Sequence, residues 1–288
     1  MEISRPDISS TELQEFDEKE RFLKLPIDKY LQLIGKEPNP PQIALINAIQ
    51  NPKYRFVTAV LNRRTGKSWI SNVIGHLVTL VPGSNILVLA PNYMLSSISW
   101  DMQRSLLNTF DVELERSNAK DKIIELKNGS TIRMGAVSQA DSVVGRSYDL
   151  IIFDEAALND AGKDVYETQL RPTLDKPDSK CLFISTPRGD NWFRDFFDRG
   201  FSDEYPEWLS IHADFRENPR ASDKDVEEAM KTMSNAEFQQ EYEANFVTFE
   251  GQIWAFKNEC IQDCTALINR IVAEPVRYEL IAGLDLGF

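Results

Sequence analysis

The chain has 288 residues, of which 42% are hydrophobic and 10% aromatic, and this composition excludes disordered, collagen-like and low-complexity proteins. A net charge of −13 argues against broad, nonspecific coating of nucleic acid or of an anionic membrane, although a local basic surface remains compatible with it. No apolar run reaches the ~18 residues of a membrane-spanning helix, the N-terminus lacks an apolar leader, and three cysteines suit a reducing compartment, so we expect a cytoplasmic protein without a membrane partner.

The predicted elements alternate between strand and helix over most of the chain. A charged, helix-compatible arm at the N-terminus ends in a proline-rich turn, and a short amphipathic helix is expected over 42–49. Strands are then predicted over 56–61, 86–90, 150–153, 181–184 and 209–213, and helices over 67–80 and 97–109. Continuous apolar strands that alternate with helices predict a mainly parallel sheet covered on both faces. The Asn128-Gly129 turn adds an antiparallel hairpin.

The character of the sequence changes after Asp214. An acidic helix is expected over 223–246, with Ser222 as its N-cap, and a strand is expected over 278–286. We therefore divide the chain into four parts: an N-terminal arm (1–40), a core (41–215), a helical lid or linker (216–250), and a linker with the first strand of a further, truncated domain (251–288).

The first chemical motif lies between the first predicted strand and the following helix. It reads Asn62-Arg63-Arg64-Thr65-Gly66-Lys67-Ser68, and a Gly-Lys-Ser sequence in this context is typical of a phosphate loop, although Leu61 occupies the position of the usual first glycine. Backbone amides of Arg64, Thr65 and Gly66 would surround the phosphates, and the Lys67 ammonium would contact the terminal ones. The Ser68 hydroxyl would bind Mg²⁺.

Polar groups also follow two later strands. Asp154 ends a buried strand and can hold Mg²⁺ opposite Ser68, whereas the adjacent Glu155 can polarise the attacking water. In the next strand, Ser185 or Thr186 can sense the terminal phosphate and pass its loss to the loop that follows. Together these motifs predict an α/β P-loop NTPase of the RecA-like type with a catalytic glutamate, and a small helical lid.

Two further candidates are less specific. Gln42 has an amide that can both donate to and accept from an adenine edge. Arg146, in a glycine-containing loop before the strand of Asp154, is poorly placed for the nucleotide of its own subunit and can reach that of a neighbour as an arginine finger. Arg63 and Arg64 can supply the same charge within one subunit, so which arginine acts is left open.

The ordered set of motifs resembles the large terminase subunits of tailed bacteriophages. The resemblance rests on Gln42, the arginine-rich phosphate loop, Gly145-Arg146, Asp154-Glu155 and Ser185-Thr186-Pro187, and the region from 217 to 246 is similar to the segment that follows the ATPase core in that family. The resemblance implies an ATP- and Mg²⁺-dependent motor that packages double-stranded DNA. It also implies a homo-oligomeric ring, expected to be a pentamer, on the portal of the procapsid.

The resemblance implies further partners and a second activity. Large terminases work with a small terminase subunit in the host cell cytoplasm, are transient on the procapsid and are absent from the mature virion. They also carry an RNase H-like nuclease domain with two Mg²⁺ or Mn²⁺ ions, and Asp285 is similar to its first metal ligand. One carboxylate cannot hold two metals, so nuclease activity is expected only in a longer chain.

Two alternatives share part of this evidence. A superfamily 2 helicase or DNA translocase has the same glutamine, Gly-Lys-Ser, Asp-Glu and Ser-Thr-Pro motifs, but it would need a second RecA-like lobe, and nothing after residue 215 is similar to one. A non-catalytic P-loop scaffold is the other alternative, and the intact Lys67, Asp154 and Glu155 argue against it.

Overall fold

The computed structural model describes residues 35–247, together with five isolated helical positions, Ile27, Leu31, Asn269, Val272 and Ala273. The chain divides into two compact units after Thr248, and the range 35–247 lies in the first of them. The expectations for most of the N-terminal arm and for Asp285 and its strand therefore lie outside the described residues. The four-part domain division remains a prediction.

A single sheet of eight strands forms the centre of the described range, in the spatial order β3-β4-β5-β2-β6-β7-β1-β8. The strands are β1 (Phe56–Leu61), β2 (Asn85–Ala90), β3 (Leu114–Asn118), β4 (Ile123–Leu126), β5 (Thr131–Ala136), β6 (Leu150–Asp154), β7 (Lys180–Ser185) and β8 (Trp208–Ala213). Six neighbouring strands, from β5 to β8 in this order, run parallel, and only β3 and β4 add antiparallel pairs. The α/β class with a mainly parallel sheet is thus confirmed.

Helices flank the sheet, and the longer ones are α1 (Pro40–Gln50), α2 (Lys67–Val78), α3 (Tyr93–Thr109), α4 (Trp192–Arg199), α5 (Asp223–Thr232) and α6 (Asn235–Glu241). A chain of short helical turns, including a π-helix over Val165–Leu170, connects β6 to β7. Among the described residues, none of these helices has the length and apolar character that a membrane crossing requires.

Two apolar cores cover the two faces of the sheet. The alternation is visible along β6, where Ile152 packs into the core formed with α1, α2 and α3, while Ile151 and Phe153 pack into the core formed with α4 and the turns before β7. Each buried side chain of this size contributes roughly 1.5–3 kcal/mol when it leaves water. A third, small cluster around Phe238 holds α5 and α6 together, which confirms a small helical subdomain after the sheet.

The structure corrects three of the predictions about elements. α3 begins at Tyr93 rather than 97, because Asn92 accepts a hydrogen bond from the Leu95 amide and caps the helix earlier. The expected helix over 223–246 is two helices, because Ser234 and Glu237 form a capping box that starts α6. The antiparallel addition contains β3 as well as the predicted hairpin, and the second strand of that hairpin pairs in parallel with β2.

Candidate nucleotide site

The loop between β1 and α2 presents backbone amides at the start of a helix. Gly66 has a φ of 84° and is the N-cap of α2 without a side-chain capping bond, so the first amides of the helix are available to an anion. Arg64 has a φ of 62°, also in the left-handed region. The Thr65 hydroxyl donates to the Asn62 carbonyl oxygen at 2.8 Å and closes the loop on itself. This geometry is what the phosphate-loop prediction requires.

Two buried side chains from the start of α1 fix the same loop from outside. The amide nitrogens of Asn39 and Gln42 both donate to the Thr65 carbonyl oxygen, at 3.0 and 3.1 Å. Gln42 also accepts from the Asn39 backbone amide at 3.1 Å within a capping box. A Cβ at Gly66 would lie 2.7 Å from Gln42 Nε2, so only glycine fits this turn without displacing the glutamine. In this structure Gln42 positions the loop, and adenine recognition stays a prediction.

The Lys67 side chain is buried between the ends of β6 and β7. Its Nζ donates to Thr186 Oγ1 at 2.7 Å and lies 3.3 Å from Glu155 Oε1. The hydroxyl of Ser185 lies 3.3 Å from the other oxygen of Glu155. An ammonium with these partners sits where the carboxyl ends of three parallel strands meet, which is where ligands of open α/β sheets bind.

Ser68 and Asp154 face each other across the first turn of α2. The Ser68 hydroxyl donates to Asp154 Oδ1 at 3.0 Å. The pKa of Asp154 is raised to about 6, chiefly by burial and secondarily by the neighbouring Glu155, with the Ser68 hydrogen bond and Lys67 partly offsetting both. A hydroxyl and a carboxylate oxygen are ligands that suit Mg²⁺, which in such sites takes few protein ligands and keeps water and phosphate oxygens. The pair therefore fits the predicted metal.

Glu155 has an unusual backbone that directs its side chain. Its φ and ψ are 49° and 46°, so a non-glycine residue occupies the left-handed region immediately after β6. Such a conformation costs about 1–3 kcal/mol and is concentrated at functional sites. It separates the carboxylate of Glu155 from that of Asp154, so that one contacts Lys67 and the other contacts Ser68.

The helical subdomain, which the sequence predicts as a lid or linker, closes one side of this cleft through contacts that sequence reasoning missed. Arg63 donates its backbone amide to the Glu241 carbonyl at 3.0 Å, and its Nε lies 3.3 Å from the Glu241 carboxylate. Gln240 accepts from the Gly189 amide at 3.2 Å, and Arg220 lies within 3.9 Å of a Cβ built on Gly66. These contacts join residues up to 178 positions apart, and no local sequence signal reports them.

The resulting cleft has a volume of about 400 Å³ and a basic lining. It contains the predicted residues Arg63, Arg64, Lys67, Glu155 and Thr186, and the further residues Leu95, Leu158, Pro187, Arg188, Gln240 and Glu241. Four of these side chains are cationic and two are anionic, although the chain as a whole carries −13. A negatively charged ligand therefore matches the cleft electrostatically.

Arg146 is separate from this cleft. It lines a second pocket, of about 530 Å³, with Arg133 and residues at the ends of β2 and β5, and no residue lines both sites. The structure thus brings together the phosphate loop, Asp154, Glu155 and Thr186 and leaves Arg146 apart. The prediction that Arg146 serves another subunit is compatible with this position and stays a prediction.

A strand-to-helix loop with Gly-Lys-Ser, a serine–aspartate pair and a neighbouring glutamate define the class: this is a P-loop nucleotide-binding fold. The family model described as terminase large subunit, T4likevirus-type, N-terminal, matches residues 62–261. The chain therefore belongs to the terminase large subunit family.

Individual relatives agree with this assignment. The terminase large subunit of Escherichia phage T5 is 49% identical over 290 aligned positions, which cover 100% of this chain and 66% of the T5 protein. The ATPase domain of the Thermus phage P74-26 large terminase matches with a TM-score of 0.65 and 25% identity, over 76% of this chain and 98% of that domain. The large terminase of a thermophilic bacteriophage, in complex with ADP, has a TM-score of 0.58 and 16% identity, over 73% and 54% of the two chains, which bears on the fold alone. The chain thus spans just under two thirds of its T5 relative.

Proposed function

We propose that this chain is the ATP-hydrolysing motor part of a phage terminase that drives double-stranded DNA into procapsids. The observation that carries the proposal is the position of Lys67, whose ammonium contacts Thr186 and Glu155 beside the Ser68–Asp154 pair. Membership of the terminase large subunit family supports the packaging role. It also favours this function over the helicase alternative, because the shared motifs then belong to the matched family.

Each residue of the cleft has a distinct task in ATP hydrolysis. The amides at the start of α2 and the Lys67 ammonium would bind the β- and γ-phosphates, and the Ser68 hydroxyl and Asp154 would hold Mg²⁺, which neutralises charge on the phosphate oxygens. Glu155 would orient the attacking water and accept its proton, because it lies beside Lys67 and apart from the Ser68–Asp154 pair. Thr186 would exchange its present hydrogen bond with Lys67 for one to the γ-phosphate.

An arginine must also contact the charge that develops during phosphoryl transfer. Arg146 is proposed to act in trans on the nucleotide of a neighbouring subunit, since it lies outside the cleft of its own chain. Arg63 is the alternative in cis, and in the present structure its guanidinium contacts Glu241. A finger supplied by the next subunit would couple hydrolysis around a ring.

The remaining proposals concern the whole terminase, of which this chain is one part. Its partners would be the portal of the procapsid, the small terminase subunit, double-stranded DNA and further copies of itself in a pentameric ring. It would act in the host cell cytoplasm, transiently on the procapsid and not in the mature virion. Cleavage of concatemeric DNA would require a complete two-metal nuclease site to which Asp285 contributes one ligand.

The test is ATP hydrolysis over a range of protein concentrations, with and without double-stranded DNA. We expect turnover to rise more than linearly with protein concentration and to fall by at least about 10²-fold in Glu155→Gln, the range for a positioned general base. Glu115→Gln on the exposed strand β3 is the matched control and should leave turnover unchanged.

Two outcomes would contradict the proposal. A rate independent of protein concentration and stimulated by single-stranded DNA would favour the helicase alternative. ATP binding without turnover, unaffected by Glu155→Gln, would favour a non-catalytic scaffold.

A further inference from the structure

One part of the sheet is less completely covered on one face than the rest. Strands β1, β6 and β7 are buried at every position, whereas β4 and β5 alternate between buried and half-exposed residues. The buried positions, such as Ile132, pack into the core with α3. The intervening ones, including Glu125 and Arg133, remain half-exposed. The residues that follow β5, among them Gln139 and Val143, cover this face only in part and leave a pocket.

The pocket that contains Arg146 opens on this face. Arg133 and Arg146 both line it, and neither has a carboxylate within ion-pair distance among residues 35–247. Burial, and secondarily the neighbouring Arg146, lower the pKa of Arg133. Arg133 is half-buried and Arg146 is exposed at the edge of the same pocket. Two guanidinium groups of like charge beside one pocket repel each other, and an anion bound between them would reduce that repulsion.

The two arginines are presented by ordered backbone. Arg133 lies within β5, where its Cα is paired with Leu87 of β2 and with Ile123 of β4. The loop of Arg146 is held by the Tyr148 hydroxyl, which donates to the Val143 carbonyl at 3.1 Å. Ser147 donates to Asp175 at 2.7 Å in the same loop. Side chains on supported backbone lose less entropy when they bind a ligand, so the pocket is prepared for one.

We propose that Arg133 and Arg146 together bind the phosphate groups of a nucleotide held by a second copy of this chain. The proposal rests on the proposed function, in which Arg146 acts in trans, and it adds Arg133 as a second phosphate-contacting residue. Arginine suits this task because its planar fork of N–H donors matches phosphate oxygens. The anion must come from outside the chain, because no residue lines both this pocket and the cleft of Lys67.

The pocket favours a compact anion over the backbone of a DNA duplex. Both guanidinium groups line one cavity of about 530 Å³, and the ammonium of Lys120 and the carboxylates of Asp121 and Asp141 line the same cavity. A continuous polyanion would meet these carboxylates as well as the arginines, whereas a single phosphate group can contact the arginines alone. DNA contact is therefore an outcome of the test rather than the proposal.

The test mixes two variants of the chain that are each impaired in turnover. Lys67→Ala disables the phosphate loop but keeps the arginine pocket, and Arg133→Gln does the reverse. We expect Arg133→Gln alone to lower turnover at saturating ATP by about 10–10²-fold, less than the loss of a complete arginine finger. Its own nucleotide affinity should be unchanged. In the mixture, turnover should rise several-fold above the summed rates of the separate variants. The reason is that the intact phosphate loop of an Arg133→Gln subunit can then lie against the intact arginine pocket of a Lys67→Ala subunit.

Controls separate this role from a structural one. Arg116→Gln, on the exposed strand β3 and outside the pocket, should leave turnover unchanged. Arg133→Lys keeps the positive charge but loses the planar set of guanidinium N–H donors, so its turnover should lie between that of the wild type and that of Arg133→Gln. If Arg133→Gln does not fold, Arg133→Lys takes its place in the mixture with Lys67→Ala.

The same mixing experiment with Arg146→Gln distinguishes the trans action of Arg146 from the additional role of Arg133. If Arg146→Gln regains turnover on mixing with Lys67→Ala and Arg133→Gln does not, the role of Arg133 is overturned while trans action of Arg146 stands. If neither mixture regains turnover, trans action itself fails. If Arg133→Gln weakens binding of duplex DNA and leaves DNA-free turnover unchanged, the pocket receives DNA and the proposal is wrong.

Discussion

The Lys67 cleft and the Arg146 pocket lie at the ends of strands of one sheet, yet their charges are arranged differently. In the cleft, Lys67 and Arg63 each have a carboxylate within 3.3 Å. In the pocket, Arg133 and Arg146 have none among the described residues. The comparison teaches that both sites have an excess of cationic side chains, but only the cleft holds two of its cations in direct ion pairs before a ligand binds.

The largest effect is expected at Lys67 in the cleft. Lys67→Ala removes the ammonium that would contact the terminal phosphates, and it leaves Glu155 without its cationic partner. We expect turnover to fall by about 10³-fold or more and nucleotide affinity to fall with it. Steady-state hydrolysis and binding of a fluorescent ATP analogue measure the two quantities. Turnover close to that of the wild type would remove Lys67 from the site.

Arg146→Ala should lower turnover without lowering nucleotide affinity. We expect turnover to fall by about 10³-fold, the lower end of the range for an arginine finger, while nucleotide binding by the same chain stays intact. The reason is that Arg146 lies outside the cleft that binds its own nucleotide. Near-normal turnover at high protein concentration would contradict the trans role and would favour Arg63 or Arg64.

A smaller effect is expected from the backbone of the phosphate loop. Gly66→Ala places a side chain at a φ of 84° and within 2.7 Å of Gln42 Nε2, so we expect a loss of about 2–3 kcal/mol in the free energy of unfolding and weaker nucleotide binding. Gly83→Ala is the control, because Gly83 has a φ of 75° with no atom within 4 Å of a built Cβ. It should cost about 1–2 kcal/mol from backbone strain alone. If urea unfolding shows equal losses of free energy of unfolding for the two variants, the Gln42 side chain moves aside at no cost in stability.

Acid should destabilise the protein through the helix that carries the phosphate loop. Burial lowers the pKa of His76, in α2, from 6.5 to about 4. Between these values His76 takes up a proton in the unfolded chain and not in the folded chain, so the contribution of His76 to the free energy of unfolding falls as the pH decreases, by about 2 kcal/mol at pH 5. His76→Leu should lose less stability between pH 7 and pH 5. Parallel pH profiles for the two proteins would contradict this.

The smallest effect concerns the carboxylate that compensates Arg63. Glu241→Gln removes a negative charge from the cleft and frees the guanidinium, so the KM for ATP should fall by up to about fivefold, the range for an exposed ion pair. Glu243→Gln makes the same change next to it in sequence, but its partner is Arg216 and it does not line the cleft. A raised KM in Glu241→Gln would mean that the pair holds Arg63 in its productive position.

The elements that carry chemistry could be predicted because their signals are local. The strands that end at Asp154 and at Ser185 are continuous apolar runs, and the phosphate loop is a contiguous motif between strand and helix. Strand β3 was missed because its residues are mostly exposed and polar and show no alternation. The break before α6 was missed although Ser234 and Glu237 form a readable capping signal, because the surrounding residues all favour helix.

Other features depend on contacts that no local pattern encodes. Asn39 reaches the Thr65 carbonyl across 26 positions, and Glu241 reaches Arg63 across a much longer separation. Arg133 lies in a strand whose alternation shows only that its side chain is not in the α3 core. Its proximity to Arg146 follows from the order β5-β2-β6, which a single sequence does not specify.

The outer strand β3 has a consequence for how copies of this chain meet. It is five residues long, its pairing with β4 shifts register between Leu114 and Arg116, and its exposed residues include Glu115 and Arg116. Short, irregular and charged edges resist the backbone pairing through which sheets of separate molecules fuse. Copies packed side by side would then contact each other through side chains rather than through a shared sheet. Such contacts can form and break repeatedly without the loss of backbone hydrogen bonds between strands.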